Sequence, residues 1–298
     1  MTQETSHTEE YLILNGKLES SSNVKGGYMN RAFLMGDGVF ESIRLIDGEP
    51  CFIDMHLKRM QSGLEKLKIA LPTGLNSDKL SSEIKVLTEK LGIDKGGRVR
   101  LTAFRSSGGY YIPDNNSSEY VITAAPLKEN IYTLNETGLN IDLYTEIKKP
   151  YTPLTPYKTL NSQLYVVAGL WAKENRLDDC LLQNDRMNII ESTSSNVFLI
   201  CNGVLYTPAI TDGCLAGIMR MQIINLAIEN NLKVYECPIM PQNLLVADEI
   251  FLTNSIKGLQ WISGYKTKRY FSTITKRLTD LLNRKIYASR LEKVETAG

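Results

Sequence analysis

Three Asx-Gly dipeptides, Asn15–Gly16, Asp47–Gly48 and Asn202–Gly203, each stand between two short strand-like runs. A two-residue hairpin turn needs positive φ at both central positions, and Asn, Asp and Gly adopt it at the least steric cost. The paired runs are Tyr11–Leu14 with Lys17–Glu19, Val39–Ile46 with Glu49–Ile53, and Val197–Ile200 with Val204–Thr207. Antiparallel sheet is therefore required in both halves of the chain.

Between the hairpins the period changes from two to about 3.6. Leu57, Met60, Leu64 and Leu67 recur at three and four residues after Asp54, which is expected to cap that helix. A second helix runs from about Ser77 through Leu80, Ile84, Leu87 and Leu91 and stops at Gly92. Strands are expected at Arg98–Arg105 and Tyr120–Ala125, where Pro126 ends the run. Further on, a helix from about Leu160 to Arg176 follows a loop fixed by Pro150, Pro153 and Pro156. Strands follow at Asp179–Gln183, Met187–Ile190, Val234–Pro238 and Glu249–Thr253, with helices at Ile218–Asn230 and Ile274–Leu291. The class is α+β. At 298 residues the chain suits two domains, residues 1–126 and 138–298, joined by the polar, weakly patterned stretch 127–137.

Composition removes several kinds of function. With 34 basic and 33 acidic residues the net charge is +1, which offers no nucleic-acid or anionic-membrane surface. Lys266, Lys268 and Arg269 read as a solvated edge. The apolar runs are short, so no membrane span is expected. Met1–Glu10 is polar and reads as a frayed tail rather than a secretory signal. Five cysteines without a C-x-x-C pair imply free thiols and a reducing, cytoplasmic setting. Only His7 and His56 exist, so a Ser-His-Asp mechanism would rest on His56 alone and a His-rich metal site is excluded. Chemistry must come from Lys, Tyr, Ser, carboxylates or a bound cofactor.

Three places could carry it. Lys158 lies between the Pro-rich loop and a helix, and a lysine amine becomes a Schiff-base nucleophile when burial or a nearby cation lowers its pKa. Glu191 opens a Ser/Thr-rich turn between two strands, where a fixed carboxylate could face a heterocyclic nitrogen. Gly217 precedes the helix that starts at Ile218, whose free N–H groups could bind phosphate, with Arg59 and the Thr253–Ser255 loop as further anion contacts. Each feature alone is more simply read as a solvated lysine, a turn carboxylate or an ordinary helix start.

Taken in order, Met35–Arg44 (MGDGVFESIR), His56–Met60 (HLKRM), Tyr157–Asn161 (YKTLN), Glu191–Phe198 (ESTSSNVF), Leu215–Arg220 (LAGIMR) and Asp248–Ser255 (DEIFLTNS) form a series. It resembles the class IV (fold type IV) pyridoxal 5′-phosphate (PLP) enzymes: branched-chain aminotransferases, D-amino-acid aminotransferases and aminodeoxychorismate lyases. The resemblance spans about Tyr11 to Trp261. It implies a small α+β N-terminal domain and a larger α/β C-terminal domain built on a barrel-like sheet, usually as a homodimer. Lys158 would carry PLP and shuttle the proton between Cα and C4′, and Glu191 would pair with the pyridine nitrogen. Leu215 would pack on the ring, while Arg59, the amides of Ile218 and Met219, and the Ser255 hydroxyl would hold the phosphate. Pocket candidates are Phe33, Phe40, Arg100, Tyr110 and Ile256.

The chain departs from the family at points that bear on substrate. Met219 stands where Thr is usual, which removes one neutral hydrogen bond of about 0.5–1.5 kcal/mol. The position near Ser162 that corresponds to the tyrosine of branched-chain enzymes holds none, and Tyr110 stands where the Arg of the D-specific carboxylate clamp would fall. Gly108–Gly109 and Thr253-Asn-Ser255 look more like the lyases. The leading expectation is transfer of an amino group from a branched-chain-like or other small amino acid to a 2-oxo acid. The alternatives are elimination of pyruvate from aminodeoxychorismate to give p-aminobenzoate, and a non-catalytic protein that keeps the fold.

Overall fold

The computed structural model describes residues 11–21, 30–106 and 108–297, with side chains through 288. The N-terminal tail with His7 lies outside the described residues. The chain divides into two compact units: residues up to Asn130 with Lys158–Asn161, and Ile131–Tyr157 with the residues from Ser162 onward.

The first unit holds β1 (Tyr11–Leu14), β2 (Lys17–Ser20), α1 (Arg31–Met35), β3 (Gly38–Ile46), β4 (Glu49–Pro50), α2 (Ile53–Lys66), α3 (Ser77–Lys90), β5 (Gly97–Arg105) and β6 (Ser118–Pro126). Its antiparallel sheet has the order β2-β1-β6-β5-β3-β4. Asn15 and Gly16 take φ of 48° and 85°, and Asp47 and Gly48 take 49° and 73°, the double positive φ that a tight hairpin requires. On one sheet face Ile13, Val39, Ile43, Leu45, Val99, Leu101 and Ile122 pack against Leu57, Met60 and Leu64 of α2 and Leu80, Ile84 and Leu87 of α3. Burying each such side chain contributes about 1.5–3 kcal/mol.

One local expectation is corrected. Asp54 lies in the first turn of α2 and accepts a hydrogen bond from the Ser77 hydroxyl; the capping position is Phe52, at φ 57°. α3 starts at Ser77 as its spacing predicts, with Asn76 as its cap, the side chain accepting from the Lys79 amide at 2.9 Å. The five-residue α1 is too short to show a period, and its Asn30 cap accepts from the Phe33 amide.

The second unit holds β7 (Leu139–Leu143), α4 (Gln163–Glu174), β8 (Asp179–Gln183), β9 (Ile189–Ser192), β10 (Asn196–Cys201), β11 (Val204–Thr207), α5 (Ile218–Glu229), β12 (Val234–Glu236), α6 (Pro241–Val246), β13 (Glu249–Asn254), β14 (Gly258–Tyr265), β15 (Lys268–Arg269) and α7 (Thr273–Ala297). Its sheet runs β12-β11-β10-β13-β14-β7-β8-β9, and a further pairing of β9 with β10 closes six of these strands into a barrel. Closure removes exposed edges from the ring. Ile141, Leu181, Val197, Leu199, Ile250, Leu252 and Ile262 fill one core, and Tyr144, Ala168, Ala172, Cys180 and Leu182 form another that includes the α4 face. Phe198 and Phe251, opposed in register, stack with centroids 5.0 Å apart. The five cysteines are free thiols, with Cys51, Cys180 and Cys214 buried. Among the described residues no helix is long and apolar enough to cross a membrane.

Candidate functional site

In the first unit the backbone of Lys158–Leu160 lies along β3. The Phe40 amide donates to the Lys158 carbonyl at 2.8 Å, the Leu160 amide donates to the Gly38 carbonyl at 3.0 Å, and Val39 bridges Thr159. Lys158 is thus held by sheet geometry, although it follows a proline-rich loop in sequence. Its Nζ lies 4.4 Å from the Phe40 ring centroid, and the Arg100 guanidinium carbon lies 3.8 Å from the same ring. Each cation over an aromatic face is worth about 0.5–2 kcal/mol.

Glu41, next along β3, has the opposite facing from Phe40 because strand side chains alternate. It therefore points with Val39, Ile43 and Leu45 toward α2, where His56 and Arg59 stand three residues apart on one helix face. Arg59 Nε donates to Glu41 Oε1 at 2.8 Å and its Nη2 to Oε2, while His56 Nδ1 lies 2.6 Å from Oε2. Burial works to raise the Glu41 pKa. The Arg59 charge and the hydrogen bonds from His56 and Arg59 outweigh it and bring the pKa down from 4.5 to about 2. Burial lowers the His56 pKa despite its bond to Glu41. An ionised carboxylate only accepts, so neutral His56 carries its proton on Nδ1.

A second buried cluster fixes a loop. Asp37 Oδ2 accepts from Arg31 Nε at 2.8 Å and from Arg105 Nε at 2.9 Å. Arg31 Nη1 then donates to the carbonyls of Gly108, Gly109 and Tyr110 at 3.0, 3.1 and 2.7 Å. The Tyr110 and Phe33 side chains are exposed in this chain, at 85% and 71%.

In the second unit Glu191, Asn196 and Thr253 are opposed in register on β9, β10 and β13. Directly opposed residues share a sheet face, with Cβ atoms about 4.5–5.5 Å apart. Glu191 is 3% exposed. Its Oε1 accepts from Lys149 Nζ at 2.6 Å and from the Tyr165 hydroxyl at 2.8 Å, and its Oε2 accepts from the Leu215 amide at 2.8 Å. Asn196 Nδ2 donates to the Leu215 carbonyl at 2.8 Å, so both backbone groups of Leu215 are held by this row. The buried Thr253 hydroxyl has no hydrogen-bond partner among the described residues.

Gly217 caps α5, and a Cβ there would lie 1.9 Å from Asn196 Oδ1, so only glycine brings this helix start against the row. Ile218 and Met219 occupy the first turn of α5, where helix geometry gives their amides no carbonyl four residues back. Ser255 and Ile256 lie in the turn after β13. Asn254 Oδ1 accepts from the Ile256 and Lys257 amides at 3.0 and 2.8 Å, and the Tyr132 hydroxyl donates to the Ser255 carbonyl at 2.7 Å.

The first unit therefore groups Lys158, Phe40 and Arg100, and holds Arg59 on Glu41. The second groups Glu191 with Leu215, and links Asn196 of that row to Gly217, the cap before Ile218 and Met219. Sequence reasoning gave no role to Glu41, Lys149, Tyr165 or Asn196. Lys149 sits in a Lys148–Lys149 pair that looks solvated, and Tyr165 is one of many helix aromatics, so neither carries a local signal.

A family model described as class IV aminotransferase matches residues 38–265. The chain is 30% identical over 249 residues to a Methanocaldococcus jannaschii protein provisionally named a branched-chain-amino-acid aminotransferase, covering 82% of this chain and 84% of that one. It is 27% identical to the D-alanine aminotransferase of Bacillus licheniformis, with 82% and 84% covered. It is 26% identical to the aminodeoxychorismate lyase of Bacillus subtilis, with 82% and 83% covered. Its fold is that of the branched-chain aminotransferase of Thermobaculum terrenum, solved in its PLP form, with a TM-score of 0.82, 21% identity and 95% of each chain covered.

Proposed function

Because this chain belongs to the class IV aminotransferase family, we propose that it is a PLP-dependent aminotransferase that moves an amino group from a branched-chain-like or other small amino acid to a 2-oxo acid. The observation that carries this reading is the buried Glu191 carboxylate. A carboxylate has about four acceptor positions, and three of Glu191's are filled by Lys149, Tyr165 and Leu215. One position remains for a protonated ring nitrogen.

The other residues fit PLP as well. The Gly217 cap leaves the first-turn amides of α5 close to the Asn196 row, an arrangement suited to phosphate. The buried Thr253 hydroxyl, in register with Glu191 and Asn196, offers a donor with no partner among the described residues. Arg59, aligned by Glu41, the amides of Ile218 and Met219, and the Ser255 hydroxyl would bind the phosphate, with Leu215 against the ring.

Bound PLP supplies an electron sink for the pair released when the substrate Cα–H bond breaks. Lys158 Nζ would hold the cofactor and act as the proton-transferring group beside the substrate Cα, its backbone fixed by the hydrogen bonds to β3. Glu191 would pair with the ring nitrogen and favour its protonated form. Phe40, Arg100 and Tyr110 line the substrate side, with Phe33 and Ile256. The same reading has the enzyme act as a cytoplasmic homodimer. The exposed apolar side chains Phe33, Leu34, Tyr110, Tyr111 and Ile112, and on α4 Val166, Val167 and Leu170, support a partner surface.

The test is the absorption spectrum of the PLP-loaded protein with a panel of L- and D-amino acids, with Lys158→Ala as control. A visible band that the variant lacks, and that particular amino acids discharge to pyridoxamine phosphate, supports the aminotransferase and names its donor. A band that no amino acid discharges favours the lyase reading, to which the Gly108–Gly109 loop and the Thr253–Ser255 turn already point. Absence of any band removes the cofactor and the reading.

A further inference from the structure

Glu191 is not the lone carboxylate its place in the sequence suggests. Two of its three donors, Lys149 and Tyr165, converge on the same oxygen, Oε1. The Lys149 and Glu191 side chains are only 11% and 4% exposed. The lysine is also built into place: its amide donates to the Gln183 carbonyl of β8 at 2.9 Å, and its Nζ lies 5.5 Å from the Tyr165 ring. A resident ammonium group therefore neutralises Glu191 before any ligand arrives.

We propose that Lys149 and Tyr165 are positioning residues that weaken Glu191 as a partner for the pyridine nitrogen of PLP, so that the ring nitrogen shares its carboxylate with a lysine of this chain. The proposal rests on the reading of Glu191 as that partner. A cation approaching an already neutral pair meets less net attraction than it would at a bare carboxylate, and it is repelled by the ammonium group at short range. The hydrogen bond from Tyr165 draws further charge from the same oxygen.

The titratable groups facing Glu191 come from three segments: Lys149 from the loop before Lys158, Tyr165 from α4, and Cys214 from the turn before α5. Burial and the Glu191 charge push the Tyr165 hydroxyl well above the usual range, so it stays a donor. Burial pushes the Cys214 thiol up to about 12, with Arg220, Glu191, Lys149 and Asp212 as smaller influences, so it stays neutral. Lys149 is then the charged neighbour of Glu191 in this cluster.

The experiment loads the protein with PLP labelled with nitrogen-15 in the ring and follows that resonance against pH. Lys149→Met is expected to move the ring-nitrogen titration upward by about 1–3 pH units, the usual effect of removing one close charge. Tyr165→Phe should move it the same way by less, and Lys149→Arg should keep the wild-type titration. Glu191→Gln should move it downward. If Glu191→Gln shifts the titration but Lys149→Met and Tyr165→Phe do not, the role of Glu191 stands and the proposal falls. If Glu191→Gln leaves it in place, both fall. Should Lys149→Met not fold, Tyr165→Phe alone decides: an unchanged titration overturns the proposal. A merely structural Lys149 would change stability without moving this resonance.

Discussion

Arg59 grips Glu41 side-on, its Nε donating to Oε1 at 2.8 Å and its Nη2 to Oε2, with both side chains buried. The pair fixes the guanidinium plane from a residue on another element. Glu41→Ala should therefore cost about 3–5 kcal/mol, because a buried arginine and a buried histidine lose their shared partner. Urea unfolding of the protein without PLP measures this. On the reading of Arg59 as a phosphate ligand, the variant should also bind PLP more weakly in a fluorescence titration.

The same cluster sets an acid limit. The Glu41 pKa is lower in the folded protein, about 2 against 4.5, so its contribution is full above pH 4.5 and is lost as pH falls toward 2. His56 is also held below its ordinary 6.5, so the unfolded chain takes up its proton first and stability begins to fall below pH 6.5. Unfolding free energies between pH 7 and pH 3 should decline in both ranges. In Glu41→Gln the decline below pH 4.5 should be shallower than in wild type; an equal slope would show that Glu41 is not the group titrating.

Gly217→Ala tests the phosphate cradle. The added Cβ would lie 1.9 Å from Asn196 Oδ1, so the Asn196 side chain must turn and release the Leu215 carbonyl. A cost of about 1–3 kcal/mol in stability is expected from the forced repacking. PLP affinity should fall with it, whereas Gly169→Ala, where an added Cβ meets nothing within 4 Å, should leave PLP affinity unchanged.

Tyr120→Phe should separate folding from function. The Tyr120 hydroxyl donates to both oxygens of the buried Glu83, at 2.8 and 2.9 Å, within the first unit. Losing it leaves Glu83, among the described residues, with Lys79 Nζ at 3.8 Å, a cost of about 1–3 kcal/mol. Thermal unfolding should register the loss while the PLP spectrum stays as in wild type.

Several elements were legible because their signals are local. The Asx-Gly turns at Asn15, Asp47 and Asn202 needed only the positive φ that their residue types allow. The core face of α3 followed from Leu80, Ile84 and Leu87 at helical spacing. Elements without such a signal were missed. β7, β14, β15 and α6 go unmarked in the sequence, and β14 is interrupted by a register shift between Ile262 and Gly264. Leu139–Leu143 becomes a strand through parallel pairing with both β14 and β8, contacts made across more than thirty residues of chain.

The sequence by itself determined the family, through motifs whose order and residue types survive without any coordinates, and it singled out Lys158, Glu191 and Arg59. It could not say what surrounds them. Only the tertiary structure laid Lys158 along β3, put Arg59 and His56 on one carboxylate, and brought Lys149 and Tyr165 to Glu191 from positions 42 and 26 residues away. The reason is physical. Turn propensity and helical period are properties of neighbouring residues, whereas the partners of a buried charge are chosen by strand register and helix packing, which join residues that the sequence keeps apart.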